Sequence, residues 1–192
     1  IVIYRGGGLN CYHCSRIFIN ASEMTSNKAG LFGGTIDFYH GRAIIVTHCT
    51  INTNHAIEKG GAIYVSNVNI ISFTNNMFLN NRVDRLGGCL NAEMYHSVKT
   101  ITNCTFQFNS AMVGGVIFSK NSQLPIDVEE TFSQKYNEVN DTYNQGKETI
   151  IILSSSFSQN SAKRYVGAVF IAHANLFELR NCTLIKNIAT FR

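Results

Sequence analysis

The 192-residue chain is 45% hydrophobic and 15% charged, with one proline, no tryptophan and a net charge of +4. That is enough apolar surface for a packed core, which excludes a disordered tail, and no apolar run is long enough to cross a bilayer as a helix. The sixteen Lys and Arg residues are scattered, with Lys163-Arg164 the sole adjacent pair, so no basic stripe marks a nucleic-acid partner.

Near its start the chain carries a glycine pair, Gly6-Gly7. The pair returns as Gly33-Gly34, Gly60-Gly61, Gly87-Gly88 and Gly114-Gly115, each 27 residues after the last, and Gly167-Ala168 reads as a further copy. A period of 20–50 residues marks a stacked array rather than a globular mixture of elements. One residue beyond each pair stands Ile36, Ile63, Leu90, Ile117 or Phe170.

Each coil also carries an asparagine: Asn27, Asn54, Asn81, Asn109, Asn160 and Asn187. Ten positions before it lie Ile17, Ile44, Ile71, Lys99, Ile150 and Phe177, and eight before it Ile19, Val46, Phe73, Ile101, Ile152 and Leu179. Three before it lie Met24, Ile51, Phe78, Phe106, Phe157 and Leu184. Alternation with period two predicts short strands, and the parity change between −8 and −5 predicts a bend. No helical apolar stripe recurs. The chain therefore reads as all-β, a parallel β-helix of six to seven 27-residue coils, stacked at about 4.8 Å into a rod about 30 Å long. The asparagines are expected to form an inward structural ladder of side-chain amides. The glycines (Gly33, Gly34, Gly60, Gly61, Gly87, Gly88, Gly114, Gly115, Gly167) are expected to make sharp turns or close backbone approaches.

Cys11-Tyr12-His13-Cys14 is the one local cysteine pair. A disulfide across a turn (Cys11 with Cys14), a metal site and simple burial all fit it. Zinc needs about four ligands and no second CxxC or HxxxH exists, so no metal is expected. Cys49, Cys104 and Cys182 each sit five before a ladder asparagine, with Asn76 and Ser155 in the intervening coils. Neighbouring cysteines are thus two coils, about 9.6 Å, apart, too far to bridge, and read as buried thiols. Cys89 stacks with Thr35, Ala62, Val116 and Val169 in this register. The six histidines fall at unmatched positions and read as loop or surface residues.

One interruption breaks the pattern: an insertion at 120–149, which carries Pro125 and six of the twelve acidic residues. Phe132, Tyr136, Val139 and Tyr143 recur at helical spacing, which predicts a short amphipathic helix, with Tyr136 and Tyr143 as candidate contacts. Four N-glycosylation sequons begin at Asn20, Asn103, Asn140 and Asn181. Chance yields about as many in a chain so rich in Asn, Ser and Thr, but Asn103 and Asn181 flank inward cysteines and are expected to point outward.

Gly60-Gly61-Ala62-Ile63 resembles the GGA(I/L/V) tetrapeptide of polymorphic outer membrane protein repeats. Phe78 to Asn81, Phe106 to Asn109 and Phe157 to Asn160 resemble the companion FxxN tetrapeptide. The resemblance covers nearly the whole chain and implies a right-handed β-helical passenger region of a surface-exposed or secreted adhesin. Only one GGA(I/L/V) copy is strict, and nothing resembles that family's C-terminal barrel.

These readings lead to a single solenoid domain over 1–192, part of a longer rod. The function expected is structural or adhesive and non-enzymatic, at a cell surface or outside the cell, without cofactor. Its expected partners are neighbouring coils or domains of the same protein, other copies packed head-to-tail or laterally, and a host-cell or matrix protein or glycan. Neither nucleic-acid binding nor membrane insertion is expected of this segment. The alternatives are a polysaccharide-active enzyme and a scaffold in an intracellular assembly. The enzyme reading needs paired carboxylates, and Asp37, Glu58, Asp84 and Glu93 do not stack in neighbouring coils. The scaffold reading fits unpaired thiols.

Overall fold

A computed structural model describes residues 5–94, 96–121, 148–172 and 174–190. They form a parallel β-solenoid of about six turns with three sheets, and no helix occurs among them. The largest sheet has ten strands and the other two have six each, with every neighbour one coil away. Long strands Ile36–Thr47 and Ile63–Thr74 run unbroken, while other coils split the same stretch in two, as in Leu90–Met94 and Ser97–Thr102. The expected helix lies within 122–147, outside the described residues. Lys120, Asn121, Glu148 and Thr149, placed in the insertion by spacing, belong to strands.

The predicted columns are real neighbours. Ile17, Ile44, Ile71, Lys99, Ile150 and Phe177 pair in register, as do Ile19, Val46, Phe73, Ile101, Ile152 and Leu179. Phe78, Phe106 and Phe157 stack with centroids 4.9 and 4.8 Å apart and planes within 11° of parallel. Each such ring removes enough apolar surface from water to contribute about 1.5–3 kcal/mol, and ring stacking adds about 0.5–1.5 kcal/mol per pair. In the sixth coil the same columns are less covered, with Phe177, Leu179 and Leu184 40–49% exposed.

The bend inferred from parity is a single left-handed residue. Ala21, His48, Asn75, Asn103, Ser154 and Asn181 take φ between 47° and 56°. A second bend, one residue before each ladder asparagine, uses Ser26, Thr53, Asn80, Phe108, Gln159 and Lys186 at 52–59°. A left-handed residue between short strands turns the chain while leaving its carbonyl and amide free to bond to the next coil.

Between these bends the asparagine ladder runs unbroken. The Asn81 Nδ2 donates to Ile51 O at 2.9 Å and to Asn109 Oδ1 at 3.1 Å. The Asn81 Oδ1 accepts from the backbone N and the Nδ2 of Asn54, at 3.1 and 2.9 Å. The pattern repeats from Asn27 to Asn187. Asn76 makes a second, shorter ladder among the thiols. Its Oδ1 accepts from Cys49 N and its Nδ2 donates to Val46 O, while Ser155 Oγ accepts from Cys104 N.

The two glycines of a pair do different work. Gly60 takes φ +65°, where a side chain is strained. A Cβ on Gly88 would sit 2.0 Å from the carbonyl oxygen of Gly115 in the next coil, so only a bare α-carbon lets the arms stack.

One expected register is off by a residue. The position of the first glycine is filled in the sixth coil by Val166, with φ 44°, and Gly167 takes the place of the second. Gly115 N accordingly donates to Val166 O. The strand that follows moves with it: Val169, not Phe170, stacks on Ile117, and Phe170 stacks on Phe118. Likewise Ala168, not Val169, continues the Cys89 column through Val116. The sixth coil keeps the usual spacing, with Val166 six residues after Asn160 as Gly33 is after Asn27, but a valine fills the first glycine's place. The arm before it, from Asn109 to Gly114, is one residue shorter, and the register shifts within it between Ala111 and Val113. A one-residue slip exchanges the inner and outer faces of a strand, which is why the correction matters.

Candidate functional site

The strongest concentration of exposed, chemically capable side chains lies at the third bend, between the two halves of the large sheet. In the first three coils this bend is made by His13, His40 and Asn67, with φ of 57°, 55° and 53°. The histidines are not unmatched: His13 and His40 are 27 residues apart and occupy one position in successive coils. The tyrosine before each is matched too, since Tyr12 pairs with Tyr39 in register. Spacing alone would have revealed this repeated Tyr-His pair had it been sought outside the core columns.

The rings form two short stacks. Tyr12 and Tyr39 lie 5.6 Å apart and 7° from parallel, and His13 and His40 lie 5.0 Å apart and 9° from parallel. Tyr39 meets His40 edge-on at 4.2 Å, and the Arg5 guanidinium sits 5.5 Å from the centre of the Tyr39 ring. Tyr12 is 61% exposed. A disulfide joins Cys11 to Cys14 and closes the turn that carries Tyr12 and His13, with Cα atoms 5.9 Å apart. Gly41 makes room beneath it, because a Cβ there would meet the Phe38 ring at 2.0 Å and Cys14 O at 2.7 Å. Beside the rings an open groove of about 420 Å³ is lined by His13, Cys14, Ser15, His40, Gly41, Arg42 and Asn67.

A polar flank lies on the outer face of the first half of that sheet. Lys59 Nζ reaches Glu93 Oε1 at 2.7 Å, and the Tyr64 hydroxyl donates to Glu93 Oε2 at 3.1 Å. Burial and the Glu93 charge push the Tyr64 phenol up. Asp37 is fully buried, and neither carboxylate oxygen accepts a hydrogen bond among the described residues. Its nearest charge is the Arg5 guanidinium at 3.6 Å. Burial outweighs that cation and lifts the Asp37 carboxyl to about 6. Two coils on, Asn91 is buried with both amide atoms unpartnered among the described residues. Further along, the flank turns apolar, with Leu86, Val113 and Phe118 packed together and Phe118 stacked on Phe170 at 4.9 Å.

Among the described residues the interior holds one ionic pair. Lys99 replaces an aliphatic residue in its column and is 1% exposed; its Nζ pairs with Glu148 and donates to Ser97 Oγ at 2.8 Å. Ser119 Oγ donates to Glu148 Oε1 at 2.7 Å. Burial pulls the Lys99 ammonium down, opposed by the Glu148 charge. This pair sits where the described strands break off at Asn121 and resume at Glu148.

Cys49, Cys89, Cys104 and Cys182 are free thiols. Burial lifts Cys104 to about 11 and Cys89 higher than its ordinary value, so neither is a ready nucleophile. Of the sequon asparagines, Asn20, Asn103 and Asn181 are exposed, and Asn103 Nδ2 donates to Asn75 Oδ1 at 2.7 Å. Asn140, Tyr136 and Tyr143 lie outside the described residues. Among the described residues no three His, Cys, Asp or Glu side chains converge as a metal site.

Comparison with known proteins gave no match to a family model, a curated protein or a solved structure. The likeness to polymorphic outer membrane protein repeats therefore rests on the tetrapeptides alone.

Proposed function

We propose that this chain is a structural and adhesive segment of a cell-surface or extracellular filament, working by shape rather than turnover. The observation that carries this reading is how its polar groups are used. Inside the coils, asparagines, thiols and the Lys99–Glu148 pair are bonded to neighbouring coils. Among the described residues the exposed Tyr12, His13 and Arg42 side chains at the disulfide-closed bend form no hydrogen bond to another coil, and the Tyr and His rings only stack on those of the next coil. A rigid solenoid that presents reactive side chains on an unreactive frame suits contact with a protein or glycan. The local disulfide favours an oxidising compartment.

The test is solid-phase binding of the purified chain to cells and extracellular matrix, run beside an assay for reducing ends released from polysaccharides. The expected result is saturable binding with no released product. Catalytic release of sugar would overturn the reading, and so would the absence of binding to any surface.

A further inference from the structure

The groove at the disulfide-closed bend has an uncompensated charge. It is lined by Arg42, His13, His40, Asn67 and Ser15, with Tyr12 and Tyr39 stacked alongside. No carboxylate lines it, and the chain carries no Asp or Glu between Asp37 and Glu58 or between Glu58 and Asp84. The nearest carboxylate in sequence, Asp37, is fully buried and faces Arg5. Arg42 is exposed, and no carboxylate lies within ion-pair distance of it among the described residues. Two other exposed arginines are paired, Arg85 with Glu58 at 2.7 Å and Arg82 with Asp84 at 3.2 Å, while exposed Arg16, like Arg42, has no ion pair among the described residues.

We propose that this groove binds an oxyanion group, a sulfate or carboxylate, carried on an acidic glycan. The proposal rests on the adhesive reading above and gives it a site. Arg42 offers a planar fork of donors that matches such an oxyanion in two-point contact. Asn67 and Ser15 supply donors for sugar hydroxyls, and the histidine rings donate through their N–H groups. Two successive coils separate the stacked rings by about one strand spacing, so the groove spans a short oligosaccharide rather than one small ion. The tyrosine and histidine rings give the apolar faces of a sugar something to lie against. The disulfide and Gly41 hold the bend in place before the ligand arrives, which lowers the ordering cost of binding.

The experiment compares one sulfated polysaccharide with its chemically desulfated form, by calorimetry on the intact chain. Inorganic sulfate and a DNA duplex are run as competitors. The wild type is set against Arg42→Gln and against His13→Gln with His40→Gln. All three residues lie at the surface, and circular dichroism checks that the variants keep the fold. Binding of the sulfated form, loss on desulfation and a tenfold or greater weakening in Arg42→Gln are expected, with sulfate competing only in large excess. Equal binding of the desulfated form, unchanged affinity in Arg42→Gln, displacement by dilute sulfate, or tighter binding of DNA would each overturn the proposal. The two readings part cleanly. If both variant sets still adhere to cells and matrix like wild type, the adhesive reading stands and this site falls.

Discussion

Two kinds of buried polar group occupy this solenoid, and they differ in repetition. The asparagine ladder places the same residue at every rung, and each amide completes the backbone of its neighbour. Lys99, Glu148 and Asp37 each occur once at their positions, and Asn91 shares its column only with Asn10, three coils away, so each stands between unlike neighbours. The repeated groups are satisfied by one another. The solitary ones depend on one or two partners of other kinds, or leave atoms unpartnered among the described residues as Asp37, Asn91 and Glu148 Oε2 do. A stack can thus hold polar side chains cheaply only when the polarity is periodic.

Breaking the solitary ion pair has the largest expected effect. Lys99→Ala strands Glu148 in the core and is expected to cost about 3–5 kcal/mol in urea unfolding. Lys99→Met combined with Glu148→Leu is expected to restore stability to within about 1 kcal/mol of wild type. A double variant as unstable as the single one would show that the pair contributes more than mutual neutralisation.

The ladder itself comes next. Asn81→Ala removes bonds to Asn54, Ile51 and Asn109 and leaves buried backbone groups unmet, at an expected cost of about 3 kcal/mol. Asn187→Ala, at the half-buried last described rung, is expected to cost under about 1 kcal/mol. Equal losses at the two rungs would mean that the amides act singly rather than as a column.

A smaller effect than that of Asn81 has the opposite sign. The Asp37 carboxyl is raised by burial from 3.8 to about 6, so the folded state favours the protonated acid. Its stabilising contribution is complete below about pH 4 and is lost as pH rises through about 6. Asp37→Asn is therefore expected to flatten stability between pH 4 and 6 and to gain about 1–2 kcal/mol at pH 7. Thermal melts of both proteins across that range check it, and a variant less stable at pH 7 would assign the carboxylate a favourable role with Arg5.

What could be read from the sequence follows the same division. The columns, the ladder and the unbridged thiols were legible because equivalent residues recur at fixed distance. The partner of Lys99 was not, since Glu148 lies 49 positions away across the interruption and counts as part of it by spacing. The sixth coil was misread by one residue because Gly167 resembles the first glycine of a pair, while the left-handed position belongs to Val166. The Tyr12-His13 and Tyr39-His40 repeat escaped notice because it sits outside the core columns and lapses at Asn67.

Length variation falls mainly at one bend. The coil with Ser97–Thr102 absorbs an extra residue there, and the long interruption leaves from the same place. Loss or duplication of a complete turn keeps each column matched with its kind, and a stray insertion is harmless where the sheet already breaks. A gene encoding such a molecule can therefore lengthen by copying whole segments, and acquire novelty at a single edge, without relearning how to fold.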